Sequence, residues 1–272
     1  MNCLLSFDVE DWFHVHNFSD YIDSSSWHTM EYRVNENIDL ILKLLDENNV
    51  KATFFVLGWV AEIHPALVKK IYTEGHEIAS HGYSHRLSFT LSKSELKEDI
   101  YKAKAILENV TGEEISGFRA PSFTISEVLI ELLTEFNFKY DSSFLVSVIN
   151  KNYGKLKGYD TIPIKNFQLN DKLTEFPLNS ISLAGLKLPW SGGAVFRAVP
   201  FNIFRTVMNK VLEKNNYYLF YMHPWEFDTM QPVLKNIKFH HKVKHYYNID
   251  KTLNKFKLLL DNYNFKPINQ CS

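Results

Sequence analysis

Brief apolar runs alternate along the chain with longer amphipathic stretches. Residues 3–7, 52–57, 77–79, 115–119, 138–143 and 217–222 are short, apolar and bounded by polar or turn-forming residues, which predicts buried strands. Between them apolar positions recur at helical spacing. Ile38, Ile41, Leu42 and Leu45 mark a helix over 34–49. Leu96, Ile100, Ala103, Leu107 and Val110 mark one that opens at the capping box Ser92-Lys93-Ser94-Glu95 and runs to about Thr111. Further helices are expected over 58–74, with Pro65 near a turn start and Gly75 as the stop, and over 126–136, 201–215 and 249–262. Residues 14–27 read as a loop. From 145 to 200 the alternation fades into extended pieces such as 161–164 and 174–177 and the glycine turn Ser191-Gly192-Gly193. That stretch reads as an insertion within one domain spanning 1–272, lying over the C-terminal face of the strands. Strand followed by helix, roughly seven times, predicts an α/β fold with a parallel sheet.

Polar clusters fall just past the strands, at Asp8, His81, Arg119, Asp141 and His223. Ligands bind at the carboxyl ends of parallel strands, and several such ends converge on one centre when the sheet closes into a (β/α) barrel. Asp8, Glu10 and Asp11 crowd into four positions. Asp8 and Glu10 share a face if the strand continues that far. Gathered like charges need a cation or a shared proton, although three acids alone are equally an acidic turn capping a helix. His81 and His85 tip the balance. As an i,i+4 pair on one face of a helical turn they can grip one metal, and with a carboxylate they make a catalytic-type ligand set with a carboxylate left over. Asp8 is read as the base, Glu10 as ligand and Asp11 as its rival. Arg119 pairs with the base. His223, ending the last strand, is placed to protonate a leaving amine, with Trp225, Glu226 and Asp228 following to orient it. The other histidines (His14, His16, His28, His64, His76, His240, His241 and His245) fit no part of this plan. Residues 235–244 read as a solvated basic face, with an anionic lipid or nucleotide headgroup as a weaker alternative.

Composition sharpens this only in places. At 272 residues with 45% apolar content the chain can bury a full core, and a net charge of −1 calls for no nucleic acid. The two cysteines, Cys3 and Cys271, form no disulfide framework or zinc motif and are expected to be free. Acids at 8, 10 and 11 interrupt any apolar leader, and no apolar run is long enough to span a membrane, so a cytoplasmic protein, peripheral to the membrane at most, is expected.

Phe7-Asp8-Val9-Glu10-Asp11, Ser80-His81-Gly82-Tyr83-Ser84-His85, Arg119-Ala120-Pro121-Ser122-Phe123 and Leu219-Phe220-Tyr221-Met222-His223 come in the order of the motifs of the polysaccharide deacetylases. The chain resembles that family, the metal-dependent carbohydrate esterase family four with the NodB homology domain. The resemblance implies a distorted (β/α) barrel, often of seven strands. It implies metal ligation by His81, His85 and an acid, an arginine that positions the catalytic aspartate, and a catalytic His223. Pro121, Ser122 and Tyr140 would belong to the substrate groove. Val9 departs from the family's adjacent aspartates and leaves Glu10 and Asp11 as alternative ligands. The family's Asp-x-x-Asp-Trp motif is not evident, so Trp190 or Trp225, with Glu226, would stand in for its groove wall. Residues 140–143, 190–197, 223–228 and 231–232 resemble a subgroup associated with exopolysaccharide synthesis.

The expected activity is hydrolysis of the N-acetyl group of an amino sugar in a polysaccharide or its precursor. It would depend on a divalent metal, zinc first, with cobalt, nickel or iron able to share the ligands. An oxyanion would be held by the metal and a backbone N–H near 140–143. The alternatives are hydrolysis of a small non-sugar amide or cyclic imide on the same barrel, and a carbohydrate-binding protein without turnover.

Overall fold

A computed structural model describes residues 1–145, 165–183 and 185–271. The extended piece expected at 161–164 lies outside these residues.

The strands are β1 (Asn2–Val9), β2 (Thr53–Val56), β3 (Glu77–Ser80), β4 (Gly117–Phe118), β5 (Tyr140–Asp141), β6 (Phe167–Gln168), β7 (Thr174–Glu175), β8 (Ser180–Leu183), β9 (Leu186–Pro189) and β10 (Tyr217–Met222). The helices are α1 (Val34–Glu47), α2 (Gly58–Ile63), α3 (Pro65–Thr73), α4 (Lys93–Thr111), α5 (Glu127–Glu135), α6 (Gly193–Ala198), α7 (Phe201–Asn215), α8 (Phe239–Tyr246) and α9 (Thr252–Asn262). The helix expected over 58–74 is two, because Pro65 lacks an amide hydrogen and opens α3 after a break at His64. The capping box at Ser92 and Glu95 forms as its sequence implies. The loop expected over 14–27 holds a short 3₁₀ turn at His16–Phe18 and runs into a second at Ser24–Thr29.

One curled sheet runs in the order β10-β1-β2-β3-β4-β5-β7-β6. Every link is parallel except the outermost, β6 with β7, which leaves seven strands in the parallel set. The fold is a distorted barrel. No ladder among the described residues joins β7 to β10. The gap between them is bridged by single bonds: Tyr217 OH donates to Pro177 O at 2.9 Å, Leu219 N to Asn179 Oδ1 at 2.8 Å, and Tyr221 N to Ser191 O at 2.9 Å. Residues 165–192 therefore supply both the last sheet strands and this bridge, while β8 and β9 pair only with each other.

Period-two alternation sorts the core into two layers. Cys3, Leu5, Phe7 and Val9 of β1 and Tyr218, Phe220 and Met222 of β10 pack outward under the helices. Leu4, Phe55, Ala79, Tyr140, Tyr217 and Leu219 fill the interior. Ile38, Ile41, Leu42 and Leu45 of α1 are buried on the outer layer as their spacing requires, each worth about 1.5–3 kcal/mol of transfer energy. The C-terminal turn plugs the lower mouth, with Ile268 N bonded to Thr53 Oγ1 at 2.8 Å. Inward positions higher on β1 are Ser6 and Asp8, so polar chemistry begins where the apolar interior stops. Cys3 and Cys271 are unpaired.

Candidate active site

Parallel register sets the upper rim. Phe7 pairs with Met222, Val56 with Ser80, and Ser80 with Phe118. The next residues in each strand direction, Asp8, His81, Arg119 and His223, therefore emerge side by side.

Glu10, His81 and His85 come together, their ligand atoms all within 4.8 Å of one another. Two features fit this trio to a cation. His81 donates Nδ1–H to Arg119 O at 2.7 Å, which leaves the lone pair of Nε2 facing the other two residues. His85 Nε2 lies 2.7 Å from Glu10 Oε2, yet that oxygen has no hydrogen-bond partner, so the two atoms aim at a common point beside them. Burial, opposed mainly by the Asp8 carboxylate, lowers His81 to about 4 and keeps it neutral for ligation. Burial also resists ionisation of Glu10, but His85 and His223 outweigh it and hold the carboxyl well below the usual range.

The histidine pair does not ride on a helical turn. Residues 81–87 form an irregular turn with His85 in the left-handed region at φ 54°. Asp99 of α4 holds it, accepting from Tyr83 N at 2.7 Å and Ser84 N at 3.0 Å. Ser122 and Phe123 on the facing wall are also left-handed, at φ 52° and 58°. Strained residues of this kind persist where the surroundings over-determine them.

Asp8 is held by Arg119, whose Nη1 donates to Oδ1 at 2.6 Å and to Ser6 Oγ at 2.9 Å. The guanidinium lies over the Phe55 ring at 4.0 Å and bonds Ser142 through Nε and Nη2. Across from it, His223 places Nε2 3.9 Å from Asp8 Oδ2 and 3.2 Å from Glu10 Oε1. Its Nδ1 donates to Glu226 Oε1 at 3.0 Å, and the far oxygen of Glu226 pairs with Arg197 Nε at 2.8 Å. Burial disfavours the imidazolium, but Glu10, then Glu226 and Asp8, lift His223 to about 9. Burial likewise opposes charge on Glu226, and Arg197 more than compensates. Gly193 makes this approach possible, since a Cβ there would lie 2.2 Å from both Glu226 oxygens.

Several expected residues sit elsewhere. Asp11 turns away and caps the start of α1, its Oδ2 accepting from Arg33 N at 2.7 Å and Val34 N at 3.0 Å. Tyr140 points to the lower mouth, its hydroxyl donating to Glu77 at 2.8 Å, and Trp190 is buried against Phe204, so neither lines the cavity above the trio. Pro121 is buried behind that wall, where Ser122 does line it. Tyr140 N and Ser142 N are bonded to Ser116 O and Phe118 O, which removes them as oxyanion donors. Asp228 pairs with Arg33 and takes no part in orienting His223.

The cavity measures about 540 Å³ and has the trio and Asp8 at its base. One wall is Ser122, Phe123 and Tyr221; another is Trp225, stacked between His223 at 5.2 Å and His245 at 4.1 Å. The third was not foreseen: His240, His241, Lys244 and His245, all on α8. The i,i+3 spacing of His223 and Glu226 was visible in the sequence, whereas the link to Arg197 spans 29 residues and carries no local signal.

Residues 21–140 match the family model described as polysaccharide deacetylase. This stretch, somewhat under half of the chain, is similar to that family. Residues 142–272 match a domain of unknown function (DUF3473). His81, His85 and Arg119 thus lie within the first matched stretch, Arg197, His223 and Glu226 within the second, and Asp8 and Glu10 precede both. Among curated relatives, a peptidoglycan-N-acetylglucosamine deacetylase of Bacillus cereus is 41% identical over 98 residues, 36% of each chain. A peptidoglycan deacetylase of Helicobacter pylori is 32% identical over 108 residues, 40% of this chain and 37% of that one. The chain thus spans little more than a third of these relatives. A Mycobacterium smegmatis structure assigned to the polysaccharide deacetylases shares the fold, with TM-score 0.61 at 19% identity over 98% of this chain and 87% of that one.

Proposed function

We propose that the chain hydrolyses the N-acetyl group of an amino sugar in a polysaccharide or its precursor, releasing acetate, with a divalent cation held by Glu10, His81 and His85. Two imidazoles and one carboxylate suit zinc, and cobalt, nickel or iron accept the same donors. Held by these three residues, a cation would supply Lewis acidity toward the acetyl carbonyl and positive charge where the oxyanion develops. Asp8, oriented by Arg119, takes the proton of the attacking water. His223, anchored through Nδ1 on Glu226, offers the proton on Nε2 to the departing nitrogen.

One observation carries the reading. A carboxylate and an imidazole flank the same trio, each tied to its own partner of opposite charge, Arg119 for Asp8 and Glu226 for His223. A carboxylate held as an acceptor and an imidazole held as a donor on either side of one site are what an acid–base pair needs. The names of the two curated relatives support an N-acetylated sugar. An exopolysaccharide as the polymer rests on sequence resemblance alone. Acetate release should be screened over N-acetylglucosamine oligomers, lipid-linked sugars and nucleotide sugars, with zinc, cobalt, nickel and iron. The reading predicts release that chelation abolishes and metal restores. A sugar-binding protein would give no acetate at any metal loading.

A further inference from the structure

Helix α8 faces the wrong way for a helix surrounded by water. Such a helix turns its apolar stripe to the core. At about 100° per residue, Phe239 and Val243 share one face, and His240, His241, Lys244 and His245 share the opposite one. It is this histidine-rich face that lines the cavity, while Lys238 and Lys242 are exposed outside it. The only buried residue of α8 is His245, while Phe239 is 80% exposed. Met230, Val233, Val243 and Tyr247 are exposed beside it, so residues 230–247 hold five of the fourteen exposed large apolar side chains among the described residues.

The charge of this segment is equally one-sided. Between Asp228 and Asp250 there is no acid, while Lys235, Lys238, Lys242 and Lys244 stand there in a chain of net charge −1. Lys238 alone has an ion-pair partner among the described residues, the exposed Asp20 at 3.4 Å.

We propose that α8 and its flanks dock the mouth of the cavity onto an anionic lipid surface. Phe239 and Val243 would enter the headgroup boundary, with the lysines around them facing lipid phosphates. Large apolar side chains interspersed with lysines on a short helix suit an interfacial helix. A protein partner would have to place a carboxylate against each lysine, whereas a lipid surface meets them all with a diffuse negative field. The same helix then walls the cavity with one face and touches the membrane with the other, so a sugar carried on a lipid would reach the cavity without leaving the surface.

The test reads binding without turnover and so stands apart from the deacetylase reading. The full chain is floated with vesicles of phosphatidylglycerol and phosphatidylcholine, and with phosphatidylcholine alone. Flotation with the anionic vesicles only, fading as salt rises, is expected. The Phe239→Ser/Val243→Ser variant should bind at least about tenfold more weakly. Lys238→Gln/Lys242→Gln should lose about fivefold per charge removed. All four side chains are exposed, so melting temperatures should match the parent, and the lysine pair keeps the test valid if the serine variant misfolds. No flotation with anionic vesicles at low salt, or flotation that neither variant reduces, overturns the proposal. A concentration-dependent dimer that Phe239→Ser abolishes would instead assign the face to a second copy of the chain.

Discussion

Arg197 and Glu226 form an ion pair of 2.8 Å with both side chains about 1% exposed. Arg197 also donates to three backbone carbonyls, of Lys244, His245 and Tyr247, and so ties the end of α8 to the residue that holds His223. A buried pair stripped of one partner costs about 3–5 kcal/mol, while replacing both partners by apolar residues costs far less. Arg197→Met should therefore destabilise by about that amount in denaturant unfolding. Arg197→Met/Glu226→Leu should recover part of the stability and still lack activity, because His223 has lost its anchor. A double variant that hydrolyses like the parent would remove Glu226 from the proton-transfer apparatus.

His223→Ala should distinguish its role from that of the trio. An amine leaves poorly until protonated, and general acid catalysis is worth about 10²–10⁴ in rate. A loss of that size in kcat is expected for an N-acetyl sugar, with KM little changed. An activated aryl acetate needs no proton to depart and should be spared most of the loss. Equal losses on both substrates would place His223 on the oxyanion instead.

Substitutions at the acids should separate ligand, base and cap. His81→Ala, His85→Ala and Glu10→Ala should each purify with the metal largely absent by elemental analysis. Asp8→Asn should keep the metal and lose turnover. Asp11→Ala should keep both the metal and turnover while losing about 0.5–2 kcal/mol of stability, since it satisfies amides at the start of α1. Metal lost from Asp11→Ala and retained by Glu10→Ala would exchange their assignments.

Asp141 and Glu175 are fully buried at the ends of β5 and β7. Burial raises Asp141 to about 6, and burial with the neighbouring Asp141 charge raises Glu175 well above its ordinary range. A carboxyl raised in the folded state holds its proton where the unfolded chain has released it. Stability is therefore present in full below the unfolded values near 4 and drains away as pH rises through the folded ones, by at most about 1.4 kcal/mol per pH unit per group. Glu175→Gln keeps an acceptor for Phe144 N, now 2.9 Å away, and has nothing to ionise. Its stability relative to the parent should climb between pH 4.5 and 7 in urea titrations, and a difference independent of pH would show that Glu175 is ionised in the fold.

Much of this was legible because each rim residue directly follows a buried run. His81, Arg119 and His223 each lie one residue past a paired strand position and Asp8 is the last residue but one of β1, and a parallel sheet brings such positions to one edge. What stayed hidden depended on direction or distance. Asp11 differs from Glu10 in which way its carboxylate turns, and the helix amides that its Oδ2 meets are more than twenty residues away. Tyr140 and Trp190 are aromatics near the right strands, but pleat and packing send them to the lower mouth and the outer core. The basic stretch 235–244 is exposed at Lys235, Lys238 and Lys242 as its charge implies, but charge alone does not reveal that His240, His241, Lys244 and His245 border the cavity.

The seam between β7 and β10 has a mechanical corollary. Among the described residues β10 shares a continuous ladder only with β1, over six residue pairs from Asn2↔Tyr217 to Phe7↔Met222. That single ladder is the ruler that sets His223 against Asp8. A slip by one residue would shift the imidazole about 3.3 Å along the strand and swap the inner and outer faces, so no partial version of the pairing keeps proton donor and acceptor in reach. The bonds on the far flank, from Tyr217, Leu219 and Tyr221, then act as a latch: they resist the strand peeling away at separate points without adding a second ladder.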